Sequence, residues 1–163
     1  VREFLQGETM IHLSFSLPEP GSPWRRTWDG VKQGDPAGLA EIDLRYKYFG
    51  VNVEMLVDNV EVISKRRFVT LVDLALSLSH AERRISSGED AAFGFTESEE
   101  VIHLRRDGDL IALTSSKRPW RVTVEHEEIA SAFSSFLREA YSRLTSEIPG
   151  LAVNPVIRQI LPE

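Results

Sequence analysis

The side chains with the most chemical capacity fall into four groups. Two are basic and aromatic: Trp24-Arg25-Arg26-Thr27-Trp28 and Lys117-Arg118-Pro119-Trp120-Arg121. Arginine beside tryptophan can stack on bases or anchor a protein interface. The third group is acidic: Glu97, Glu99 and Glu100, with Glu89 and Asp90 nearby. Carboxylates serve as acid and base when their surroundings push their pKa values apart. Here they fall in a turn and beside strand ends, so they read as a solvated face suited to a basic partner. The fourth group is His12, His80, His103 and His126. None is spaced i, i+4 from another, and no HExxH occurs. A two-histidine site at His12 and His103 would need a carboxylate such as Asp109. Exposed strand histidines are the simpler reading, so no metal and no cofactor is expected.

Other catalytic signatures are missing from the sequence. It has no GxSxG, no P-loop and no GxGxxG. Gly30, Gly34 and Gly38 share a loop but lack the strand-to-helix setting of a phosphate cradle. Binding is therefore expected over catalysis, and no catalytic residue is assigned.

These groups must be positioned by regular elements. Met10–Leu17 alternates, with Ile11, Leu13, Phe15 and Leu17 on one face, which predicts a half-buried strand. Residues 18–39 are punctuated by Pro and Gly and read as a long loop carrying Trp24 and Trp28. Residues 41–57 alternate again, Ile42, Leu44, Tyr46 and Tyr48 on one side, and Gly50 interrupts as at a bulge. Asp58-Asn59 is a two-residue hairpin turn before a strand over 60–63. SKRRF at 64–68 reads as a polar connector.

Thr70 and Asp73 match a capping box for an amphipathic helix. Its stripe runs Leu71, Leu74, Ala75, Leu78, Ala81, Glu82 and Ile85, broken only at Glu82, and Gly88 ends it. Strands are expected over 91–96, 101–106, 109–114 and 120–124, with a hairpin at Asp107-Gly108. A second helix begins near Glu125, with Ile129, Ala132, Phe133, Phe136, Leu137, Ala140, Tyr141, Leu144 and Ile148 on one face, and Pro149-Gly150 ends it. The tail, 149–163, is apolar enough to cover the core or a partner. The order predicts one α+β domain over 1–163: a mainly antiparallel sheet of about six to seven strands, with two helices packed on one face.

Composition sets the outer limits. At 163 residues, with 42% hydrophobic and 27% charged, the chain needs no metal or disulfide in order to fold. It has no cysteine, which removes thiol nucleophiles and thiolate metal sites and fits a cytoplasmic protein. VREFLQGETM carries no apolar run of the secretory kind, and no segment is long and apolar enough to span a bilayer. The formal net charge of −6 excludes broad nucleic-acid binding and suits a basic protein partner.

In size, acidity, absence of cysteine and strand-rich α+β outline over residues 40–148, the chain resembles the small single-domain immunity proteins of bacterial toxin systems. That resemblance implies steric and electrostatic blockade of a basic toxin. Glu97, Glu99 and Glu100 would face its surface, with Trp24 or Trp28 as the aromatic anchor. Two other readings are kept. One is a small-ligand or enzyme pocket between the sheet and residues 18–39, lined by Tyr46, Tyr48, His103 and Arg105 if these share a sheet face. The other is a homodimer formed through the tail or an uncovered strand edge.

Overall fold

The alternating segment at Ile11–Ser16 is a strand, β1, at the edge of its sheet among the described residues, 10–162, of a computed structural model. It pairs antiparallel with β2, Gly50–Val57, in register from Ile11 opposite Val57 to Ser16 opposite Asn52. β2 turns Val51, Val53, Met55 and Val57 inward, as its period of two requires. The chain then reverses through Asp58-Asn59, with Asp58 at a φ of 53°, into β3, Val60–Ile63. A further strand, β4, Phe68–Thr70, pairs with Gly50–Asn52 of β2. Asn52 thus has Ser16 on one side and Phe68 on the other.

The second sheet is a meander. β5 (Ala91–Phe95), β6 (Ser98–Asp107), β7 (Leu110–Ser115) and β8 (Arg121–Glu125) pair in sequence order, all antiparallel. Asp107 pairs with Leu110, so the hairpin turn is Gly108-Asp109, one residue later than expected, and Gly108 takes φ 63°. The expected α+β class and antiparallel pairing hold. The single sheet of six to seven strands does not: the described residues form two sheets of four strands each.

Among the helices, α1 (Arg26–Asp29) and α2 (Glu41–Tyr46) are short. α3 (Leu71–Ser86) and α4 (His126–Glu147) are long, and α5 (Pro155–Arg158) lies in the tail. α3 and α4 pack on each other. α3 lies against β5, while α4 touches β1 of the first sheet and β8 of the second. The helices therefore join two sheets instead of covering one. Two aromatic contacts mark this: Phe136 meets Phe15 edge-on at 5.4 Å, and Phe133 meets Phe93 at 6.1 Å. Buried side chains from both sheets and both long helices form one cluster.

Three local expectations are corrected. Residues 41–46 are helix, not strand. Ile42 is 67% exposed and Tyr46 51% exposed, so only Leu44 goes inward. The Glu41–Arg45 pair at i, i+4 suits a helix, and Arg45 also binds Asp73 of α3 at 2.7 Å. The Thr70–Asp73 capping box is not formed, because Asp73 holds Arg45 and the Thr70 hydroxyl faces Thr96 and Glu97. The capping box that does form is at α4, between Glu125 and Glu128. Residues 18–39 are built of α1 and two 3-10 turns, Gly30–Gln33 and Pro36–Gly38. They are fixed by Trp28, fully buried against Phe49, whose Nε1 donates to the Gly50 carbonyl at 2.8 Å.

The tail docks on its own core. Ile157 and Ile160 are fully buried, and Asn154 donates to the Pro36 and Leu39 carbonyls at 2.9 and 3.1 Å.

Candidate interaction surface

Everything at this site depends on β4. A strand points alternate side chains to opposite faces. Val69 goes into the core, and Phe68 and Thr70 go outward together. Trp24 stacks on Phe68, ring centroids 4.6 Å apart and planes 9° from parallel. Its indole also lies over Gly50, where a Cβ would come within 2.8 Å of Trp24 Cε3. The glycine that interrupts the alternation at 50 is therefore a seat for the indole. Trp24 still leaves 40% of its surface to solvent.

Two residues along β4, the Thr70 hydroxyl lies 3.2 Å from that of Thr96 and 3.4 Å from the Glu97 carboxylate. An exposed indole and an exposed carboxylate are thus held on one strand face, anchored to both sheets.

Beneath this face lies a buried polar seam. Glu100 has the same parity on β6 as Ile102 and Leu104, and all three point inward; Glu100 is only 3% exposed. Its carboxylate accepts from Arg67 Nη2 at 3.0 Å, Arg118 Nε at 2.8 Å and the Ser115 hydroxyl. Arg118 goes on to the carbonyls of Glu61 (2.7 Å) and Val62 of β3. Arg67 lies over the Phe95 ring at 4.7 Å. One buried carboxylate thereby ties β3 and the 64–67 connector of the first sheet to β6 and the β7–β8 loop of the second. Burial pushes the Glu100 carboxyl up. The hydrogen bonds from Ser115, Arg118 and Arg67 outweigh that, so its pKa lies below the ordinary glutamate value.

The expected site residues separate as follows. Trp24 and Glu97 come together through β4. Glu99 is exposed on the outer face of β6, beside Val101 and His103 in parity. Trp28 is core and Glu100 is seam, so neither is available to a partner: the expectation that both face outward is corrected. Their chemistry is used inside because each finds a polar partner there.

Tyr46 and Tyr48 belong to α2 and the residues just after it, whereas His103 and Arg105 are on β6. The four do not share a sheet face. Trp28 and Val31, from residues 18–39, are buried in the core. His12 is in the first sheet, 3.0 Å from Ser14 Oγ and 3.3 Å from Glu54, while His103 and Asp109 belong to the second. Arg67 and Phe68 were missed because SKRRF reads as a connector, and Thr70 was read as a helix cap. The alternation of Phe68 and Thr70 about Val69 is the signal that marks them.

Compared with protein-family models, curated proteins and solved structures, the chain matches none.

Proposed function

We propose that this chain is a non-catalytic protein-binding module that holds a basic partner, in the manner of an immunity protein. One observation carries the reading: Trp24, half-exposed and stacked on Phe68, shares the outer face of β4 with the bonds that fix Glu97. An arginine or lysine of the partner can lie along the indole and meet the carboxylate, combining cation–π and charge attraction. Tryptophan is a frequent anchor of interfaces because it is large and loses little entropy when it is covered. Here the stack on Phe68 and the seat at Gly50 order it in advance, which lowers the cost of binding. The formal charge of −6 would speed encounter with a basic surface, and Glu99 adds to that field.

The test is capture from native lysate by the immobilised protein. Wild type should retain a basic protein. Trp24→Ala should release it by raising the off-rate, and Glu97→Lys/Glu99→Lys should slow its capture in low salt. Equal retention by both variants would defeat the proposal.

A further inference from the structure

The opposite end of the second sheet carries a different surface. The first turns of α4 and the start of β1 stand apart, leaving a groove of about 580 Å³. Ile11, Leu13 and Ala132 line it with apolar surface, and Glu125, Glu127 and Glu128 give it an acidic rim. Met10, at its mouth, is 77% exposed.

A second observation concerns β1 itself. It pairs with β2 on one side and, among the described residues, with no strand on the other. Exposed edges are normally guarded by charge, proline or a bulge. β8, the edge of the second sheet, carries Arg121 and Glu125, with Arg121 paired to Asp107. β5 breaks its register between Gly94 and Phe95. β1 reads IHLSFS, with no Lys, Arg, Asp, Glu or Pro. Its six residues offer about 20 Å of unguarded edge.

We propose that β1 and this groove accept an extended, basic segment of a partner protein as an added strand. Main-chain bonds to β1 would hold the guest, and alternate side chains would drop toward α4. Apolar ones would lie on Leu13 and Ala132, and basic ones would reach the glutamates of the rim. The acidic rim disfavours a second copy of this chain, because an antiparallel β1-to-β1 pair brings two such rims into one assembly of like charge. The inference rests on the function proposed above only for the basic character of the partner; the surface is separate.

The probe is a short, end-capped peptide alternating valine with arginine and carrying a fluorophore, titrated with the full chain and read by anisotropy. Binding should weaken by about tenfold or more in Glu127→Lys and in Ala132→Arg, and by a similar factor when alternate peptide nitrogens are methylated. The valine–glutamate peptide should not bind. Trp24→Ala should bind as wild type does, which separates this groove from the β4 face.

Absence of binding, or binding indifferent to N-methylation and to both groove variants, overturns the inference and leaves the β4 proposal to its own test. A peptide site lost in Trp24→Ala overturns it too. If Phe4→Ser/Leu5→Ser tightens binding about tenfold, the chain's own opening residues are the occupant and the inference falls. It falls likewise if sedimentation shows a dimer that the peptide dissolves.

Discussion

The two ends of the second sheet solve opposite problems. At one end, where β6 begins and the β7–β8 loop returns, a carboxylate has been taken out of water and fully partnered. Glu100 meets two arginines and a serine, and Arg118 continues to two carbonyls of β3. At the other end, where β8 passes into α4, Glu125, Glu127 and Glu128 rim an open groove beside an unguarded edge. The same residue type is mortar in one place and surface in the other. Strand parity turns Glu100 inward, whereas Glu127 and Glu128 lie on the first turn of α4. Polar groups closed off from water must be paired and therefore hold structure together. Polar groups beside open apolar surface, such as Glu127, keep a face toward solvent where a partner can reach them.

The largest expected effect comes from breaking the closed end. Glu100→Ala leaves Arg67 and Arg118 facing each other without their counter-charge and opens the join between the sheets. Losing one partner of a buried pair costs about 3–5 kcal/mol. Both arginines keep some solvent contact, so the low end of that range, about 3 kcal/mol, is expected here. Urea denaturation should show the midpoint falling accordingly, while Glu97→Ala, on the exposed face directly above, leaves it nearly in place. Equal midpoints for the two variants would erase the distinction between seam and surface.

The same group sharpens the comparison through pH. Its folded pKa lies below its ordinary value of 4.5. A carboxyl shifted down contributes stability that is fully present above its unfolded pKa. That contribution is lost as pH falls through the folded pKa. The stability gap between wild type and Glu100→Gln, which cannot titrate, should therefore be constant near neutrality and close as pH drops below about 4.5. A gap that does not narrow at all as pH falls below 4.5 would mean that the carboxylate charge is not what holds the seam.

These contrasts also show which parts of the molecule are legible in its sequence. β2, α3 and α4 declare themselves because their own periodicity buries them: Val51, Val53, Met55 and Val57 in the one, the stripes from Leu71 and Ile129 in the others. β4 does not, since three residues are too few to show a period and its strand state comes from pairing with β2. Residues 41–46 mislead because a six-residue segment fits period two and period 3.6 alike. What decides is the tertiary pair of Arg45 with Asp73, 28 positions away. Of the residues expected to face outward, Trp24 and Glu97 keep their place and stay exposed. Trp28 and Glu100 lose theirs to a carbonyl and two arginines that lie far off in the chain.

A smaller effect is expected at the join between β4 and Trp24. Gly50→Ala puts a Cβ about 2.8 Å from the indole, closer than carbon atoms tolerate, so Trp24 must leave its seat on Phe68. The loss is the stacking and part of the ring's burial, about 1 kcal/mol. Acrylamide should quench tryptophan emission more efficiently in this variant, and the increase should vanish in a Trp24→Phe background. Unchanged quenching would show that Trp24 is not held in advance, and the aromatic half of the proposed interface would lose its support.

The smallest effect on stability belongs to the open end, and its smallness is the point. Glu127→Gln removes one carboxylate from the first turn of α4, where the helix dipole favours negative charge by about 0.3–1 kcal/mol. Glu125 and Glu128 stand two and one positions away, spacings that do not face each other on a helix, so little repulsion is relieved. The melting temperature should fall by no more than about two to four degrees, well short of the fall expected for Glu100→Ala. A rim residue that can lose its charge at little cost to the fold has that charge available for a partner. Destabilisation by Glu127→Gln of the size seen at Glu100 would make the groove a second seam, and the strand-binding role assigned to it would have no chemistry left to rest on.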